Sequence, residues 1–303
     1  MKKVADKHDL VCLLHEKPFE GINGSGKHNN WSMITDDGVN LLDPGKTPAE
    51  NIQFLVFLMA VIKAVDEYAD LLRISVASAG NDHRLGANEA PPAVVSIFLG
   101  DELTEILKSI ENDTYFTSHG AVQMDIGATV LPHFVKDNTD RNRTSPFAFT
   151  GNKFEFRMLG SAASVANPNI VLNTAVAEAL DQFAKELDGI APEDMEHAVH
   201  ELIKRAIKKH KRVIFNGNGY TDEWIEEAEK RGLYNLKSTP DALPMWIAQK
   251  NIDLFTKHSI FTSEELHSRY EIWLENYSKT INIESNTMIE MVQKDLLPSV
   301  MSY

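Results

Sequence analysis

Apolar and polar positions divide this chain into a mixed first half and a helical second half. The run Leu10-Val11-Cys12-Leu13-Leu14 has the length and content of a short buried strand. Residues 17–27 are rich in Pro, Gly, Asn and Ser and read as a loop. Residues 28–35 return as a strand. Thr47-Pro48-Ala49-Glu50 carries a cap, a proline suited to the first helical position and a glutamate placed for a capping box. That predicts a helix opening at 47 and running to about Arg73, apolar on most faces and therefore buried.

Residues 80–92 form a second turn-rich loop, 93–99 a strand and 101–111 a helix. Residues 132–153 form a third, polar loop. Phe154-Glu155-Phe156-Arg157-Met158 then alternates apolar and polar, as a half-buried strand does. From about residue 168 the pattern is mostly helical. Asn216-Gly217-Asn218-Gly219 and the stretch from Pro240 to Pro244 are its clearest breaks. No internal repeat or low-complexity tract is visible.

Composition narrows the class. The 303 residues are 43% hydrophobic and 24% charged, the profile of a globular protein with a sizeable core. A formal charge of −14 disfavours nucleic acid and anionic lipid as partners. The longest apolar run, Phe54 to Ile62, is too short to span a bilayer, and the N-terminus lacks a signal-peptide core. Cys12 is the only cysteine and sits in an apolar run, so a buried, inert thiol in a reducing, cytoplasmic compartment is expected.

Polar loops on a scaffold are where chemistry concentrates. The first, Gly21 to His28, matches part of a phosphate-binding P-loop. However, His28 stands where Ser or Thr must ligate magnesium, and a strand rather than a helix follows. A glycine-rich loop ending in His28 can still hold a metal-bound phosphate. It can equally be a tight turn with a solvated histidine. The second loop groups His83, Arg84 and Glu89. Arg84 could clamp a carboxylate, or the group could be a surface ion pair. The third leads into Lys153, Glu155 and Arg157, alternate positions that share one strand face about 7 Å apart. Cation, anion, cation suits a metal beside a phosphoryl group, or a plain charged stripe.

These loops resemble the glutamine synthetases, and their wording is similar to the type III branch. The resemblance rests on Lys17-Pro18, Gly21, Asn23-Gly24-Ser25-Gly26, His28 and Ser32; on Arg84-Leu85 and Glu89-Ala90-Pro91; on Arg141-Asn142-Arg143-Thr144; and on Glu155-Phe156-Arg157 followed by Asn167-Pro168. It implies an α/β fold: a partial catalytic barrel of antiparallel strands and helices over residues 1–165, and a mostly helical type III region over 166–303. It implies ligation of ammonia to glutamate with ATP through γ-glutamyl phosphate, with magnesium or manganese, in a homo-oligomer of stacked hexameric rings.

By the same resemblance His28 and Glu155 are metal ligands. Asn23, Gly24, Arg84 and Arg157 hold glutamate and the transferred phosphoryl group. Asn30, Ser32, Lys153 and Arg143 lie on the nucleotide side. Glu89, Arg157 and Arg143 are the catalytic positions, with Glu89 shielding the intermediate. Three positions depart from the pattern: Asn30 stands for a second histidine, and Lys153 and Ala148 stand for arginines. The family's chains begin with a further segment that carries most of the metal-binding glutamates. This chain opens almost directly at the histidine-bearing loop, so it is expected to be the C-terminal part of a longer product, with its own activity in doubt. The alternatives are a non-catalytic assembly piece, a guanido kinase, or a γ-glutamyl ligase using another amine.

Overall fold

A computed structural model describes residues 1–15, 17–87, 90–114 and 144–303, together with short strands at 123–124 and 134–135. The fold is mixed α/β, as the sequence implies. Its centre is a four-stranded sheet in the order β1-β6-β5-β2: β1 (Gly26–Trp31), β6 (Phe154–Gly160), β5 (Phe147–Phe149) and β2 (Ile97–Phe98). β1–β6 and β6–β5 are antiparallel, and β5–β2 is parallel. β3 (Gln123–Met124) and β4 (Phe134–Val135) form a separate antiparallel pair.

The sheet lies against α2 (Ile52–Glu67), whose Phe54, Leu58, Met59 and Ile62 are fully or almost fully buried. Phe147, Phe149, Phe154 and Phe156 fill the space between them, with Phe147 and Phe154 stacked at 4.8 Å between ring centroids. α2 also packs on α6 (Ala166–Leu187) and α7 (Met195–His210). A helix covered on both sides has no use for a polar face, which is why its sequence is apolar almost all round.

Two expectations about this helix need correction. It opens at Ile52, capped by the Asn51 side chain, which accepts from the Phe54 amide at 3.0 Å; Thr47 is not the cap. It also breaks at Tyr68 before continuing as α3 (Ala69–Ile74). The polar residues of this stretch reach the later helices. Asp66 accepts from His210 at 2.8 Å and Arg212 at 2.7 Å. Asp70 accepts from Lys250 and Asn251, both at 2.9 Å. Buried carboxylates are tolerated only when paired in this way.

Further corrections concern the first half. The run 10–14 is neither paired nor buried: Leu10, Val11, Leu13 and Leu14 are all exposed and Cys12 is half-buried. A strand needs a neighbour to satisfy its amides, and among the described residues the run makes only one such bond, from the Leu10 amide to the Ala5 carbonyl of the short helix α1 (Lys2–Asp6) at 3.0 Å. Part of the second loop is helical, as α4 (Ala79–Arg84), with Ser78 accepting from the Asn81 amide at 3.2 Å. The strand expected over 93–99 shortens to Ile97–Phe98. β5 falls inside the stretch read as loop. The helix expected at 101–111 is α5 (Asp101–Glu111).

The second half is helical as expected, through α8 (Asp222–Lys230), α9 (Thr239–Ala242), α10 (Gln249–Lys257), α11 (Ser263–Met291) and α12 (Leu297–Ser302). Pro240 opens α9 within a Ser238–Asp241 capping box, so it starts a helix as much as it interrupts one. Of α11 only Leu266 is buried, and α12 is exposed throughout. No helix among the described residues is long and apolar enough to cross a membrane.

Candidate functional site

β1 divides its side chains by strand alternation. Lys27, Asn29 and Trp31 reach α6 and the turn before it: Lys27 donates to the Ala163 carbonyl at 2.6 Å, Asn29 to Asn169 at 2.8 Å, and Trp31 to Asn173 at 2.8 Å. That leaves His28 and Asn30 on the opposite face. Asn30 pairs with Glu155 in the ladder, while the register slips between Lys27 and Asn29. Opposite His28, β6 therefore carries two residues, Arg157 and Met158, where one would fit. Such bulges re-aim side chains and are frequent beside active sites.

The slip gathers three charged or titratable groups. His28 Nδ1 stands 3.5 Å from Glu155 Oε2. Arg157 donates to the same oxygen from Nε at 3.1 Å and from Nη2 at 3.0 Å. Glu155 is largely covered and Arg157 is buried, whereas His28 is half open to solvent. Burial, with help from Arg157 and Arg84, holds the His28 pKa below its ordinary value against the opposing pull of Glu155. Neutral imidazole is the form that can ligate a cation.

Arg84 comes in on the His28 face of β1, where a side chain of Gly26 would stand. At the end of α4 it donates to the carbonyls of Met158 at 3.1 Å and Arg157 at 3.3 Å, and to Asn81 Oδ1 at 3.2 Å. Asn81 itself donates to the Met158 carbonyl at 2.9 Å. The Arg84 guanidinium lies flush against Gly26: a Cβ on that residue would sit 2.0 Å from Arg84 Nη2. Here the glycine makes room for an arginine, not for a phosphate. The sequence presents Arg84 as a loop cation, and only the contact with Gly26 reveals it as a buried support for the bulge.

The Ser32 hydroxyl donates to Asn40 Oδ1 at 2.7 Å and lies 3.0 Å from the Asn152 carbonyl as an alternative acceptor, which brings it beside Lys153 at the head of β6. The turn is closed by the Thr150 amide donating to the Lys153 carbonyl at 2.8 Å. Asn23 is exposed and Gly24 partly covered, in the loop leading into β1. Glu89 and Arg143 lie outside the described residues. The structure thus brings together His28, Glu155, Arg157 and Arg84, places Ser32 near Lys153, and leaves Asn23 on the approach. The contacts sequence reasoning missed are Asn29–Asn169, Trp31–Asn173, Ser32–Asn40 and Asn81–Met158. Asparagine pairs carry no distinctive sequence spacing.

Comparison with known proteins agrees with the resemblance seen in the loops. A family model described as the glutamine synthetase catalytic domain matches residues 1–95, and one described as the glutamine synthetase C-terminal domain matches 198–303. The whole chain is 60% identical to a glutamine synthetase of Butyrivibrio fibrisolvens and 53% identical to a type-3 glutamine synthetase of Dictyostelium discoideum. The chain belongs to the glutamine synthetase family. It is also 43% identical to a glutamine synthetase of Bacteroides fragilis. It spans 43%, 41% and 42% of the length of these three relatives.

Glutamine synthetases use ATP and a divalent metal, and the donor set can be tested against that requirement. One imidazole and one carboxylate converge, and no group of three His, Cys, Asp or Glu side chains converges among the described residues. Magnesium and manganese accept such a pair when water and phosphate oxygens complete the shell. The donors therefore fit a divalent cation as part of its coordination.

Proposed function

We propose that this chain supplies the His28–Glu155–Arg157 side of a glutamate–ammonia ligase site. The observation that carries this reading is the convergence of these three residues at the β1–β6 bulge. Family membership supports it. The reaction joins ammonia to glutamate at the expense of ATP. The glutamate γ-carboxylate oxygen attacks the γ-phosphorus and ADP leaves. Ammonia then attacks the resulting γ-glutamyl phosphate at carbon, phosphate departs, and the nitrogen loses a proton.

Within this scheme Arg157 neutralises charge on the phosphoryl group in transfer, from a position already fixed by Glu155. Arg84 stabilises the bulge that aims it and would grip a glutamate carboxylate from the face of β1 that also carries His28. His28 and Glu155 would hold magnesium or manganese, which supplies charge neutralisation at the phosphates when bound. Asn23 and Gly24 line the glutamate approach, and Asn30, Ser32, Lys153 and Arg143 the nucleotide side. Glu89 shields the acyl phosphate from water and accepts the ammonium proton. The two parts of the chain, 1–165 and 166–303, correspond in this reading to catalytic-barrel and helical C-terminal regions of a longer protein assembled as a homo-oligomer.

The test uses a chimera in which this chain replaces the matching segment of the Butyrivibrio fibrisolvens relative. With Glu89→Ala, phosphate release should outrun glutamine formation, because phosphorylation proceeds while the intermediate is left open to water. A ratio that stays at one while both rates fall together would assign Glu89 a different part.

A further inference from the structure

A cavity of about 450 Å³ opens between α5, the end of α7, the turn 211–214 and the end of α8. The chain is acidic overall, with 30 Lys and Arg against 44 Asp and Glu. Yet this cavity is lined by Lys108, Lys208, Lys209, Lys211, Arg212 and Arg231, with Glu111 as its one acid. Its floor is apolar, formed by Leu107, Ile207 and Ile214.

The C-terminus of α7 accounts for Lys208 and Lys209, since cations complement a helix end. The other four also gather at helix ends: Lys108 in the last turn of α5, Lys211 at the C-cap of α7 with Arg212 next to it, and Arg231 at the C-cap of α8, so three helix C-termini bring their cations to one cavity. Three of the cations have acid partners behind the cavity, Arg212 with Asp66 at 2.7 Å, Arg231 with Glu227 at 2.8 Å and Lys209 with Glu67 at 3.5 Å, and the two arginines are also held by backbone. Arg231 donates to the carbonyls of Arg212 at 3.3 Å and Ile214 at 3.0 Å, and Arg212 donates back to the carbonyls of Arg231 at 3.4 Å and Gly232 at 3.3 Å. Among the described residues the ammonium groups of Lys108 and Lys208 have no ion pair. Lys211 is paired with Glu111 at 2.7 Å.

This place is separate from the site on β1. Ile214 bridges to Ile97 on β2, and the Phe215 amide donates to the Ile97 carbonyl at 2.8 Å. β2 and β1 are opposite edges of the sheet, three strand steps or about 14 Å apart. The volume is that of a small-molecule pocket, and a rim of cations over an apolar floor selects an anion attached to an apolar body.

We propose that this cavity binds a small organic phosphate, its phosphate on the lysine rim and its body on Leu107, Ile207 and Ile214. In that arrangement Glu111 competes with the ligand for Lys211. Neighbouring substitutions must therefore act in opposite directions, which a purely structural role would not produce.

The experiment is calorimetric titration of the 303-residue chain with phenyl phosphate and, separately, inorganic phosphate. Circular dichroism verifies that each variant is folded. Phenyl phosphate should bind at one site. Lys211→Glu should weaken it about tenfold or more, the effect of losing one charge-assisted contact. Glu111→Gln should tighten it. Failure of phenyl phosphate to bind, indifference to Lys211→Glu, or weaker binding in Glu111→Gln would overturn the proposal. So would inorganic phosphate binding as tightly as phenyl phosphate.

Discussion

At the scale of single residues, the contact between Gly26 and Arg84 shows how the site is built. Gly26 is a strand residue in an ordinary backbone conformation, so its requirement is spatial. An added Cβ would meet Arg84 Nη2 at 2.0 Å, Cζ at 2.6 Å and the Leu159 carbonyl at 3.0 Å. A buried guanidinium bonded to two carbonyls cannot swing away without leaving its own N–H donors unpaired. Gly26→Ala should therefore destabilise the chain by about 1–3 kcal/mol, the ordinary cost of overpacking. In the chimera it should also lower activity, because the bulge that aims Arg157 shifts. Thermal unfolding alongside glutamine formation checks both; a variant equal to wild type in each would mean that Arg84 moves freely. The sequence signals the importance of these residues only in part. Arg84, Glu155 and Arg157 stand out by type and spacing. The burial of Arg84 does not, because it depends on α4 forming where a Gly-Asn pair reads as a turn.

At the scale of elements, legibility follows how local the cause is. α5 is readable to the residue, since an amphipathic pattern of eleven residues follows directly on Gly100. The start of α2 is misread because Thr47-Pro48 makes a good local signature while the competing cap, Asn51, is held by bonds from its side-chain amide to the Asp43 and Pro44 carbonyls at 3.2 and 3.3 Å, which the local pattern does not show. β5 is invisible because Phe147 and Phe149 sit in a polar loop and become a strand by pairing with β6 on one side and β2 on the other. The attachment of α10 to α6 shows the same dependence on distant partners. Lys257 bonds Glu178 at 2.6 Å and Asp181 at 2.8 Å, and His258 contacts Glu178 at 2.7 Å. Hydrogen bonds from Lys185 and Lys257 lower the Asp181 pKa to about 2. Burial pushes Glu178 up, but bonds from Lys257, Gln182 and His258 more than offset it, leaving it below its ordinary value. Both carboxyls bind protons less readily folded than unfolded. Their contribution is thus complete above the ordinary carboxylate range and is lost as pH falls towards about 2. The melting temperature should fall over that window, and Lys257→Met should flatten the fall. An identical pH profile in Lys257→Met would remove this tie from the account.

At the scale of the whole molecule, an interior of apolar side chains around α2 carries two different surfaces. One edge of the sheet bears the His28–Glu155–Arg157 group, and the long α11 and α12 extend with most of their side chains exposed. Leu10, Val11, Leu13 and Leu14, with Ile283, Met288, Leu296 and Val300 on the tail, are exposed apolar surface. The apolar run at 10–14 reads as a buried strand from its composition, but composition does not supply the neighbouring strand that burial would need. Whether the groups gathered at the bulge carry the reaction is decided by Glu155→Gln in the chimera. Glutamine keeps a carbonyl for Arg157 to bond, so the fold should hold, while the carboxylate charge is lost. The account predicts glutamine formation reduced by about 100-fold or more with the melting temperature nearly unchanged. Full activity in Glu155→Gln, or a loss of activity matched by an equal loss of stability, would contradict it.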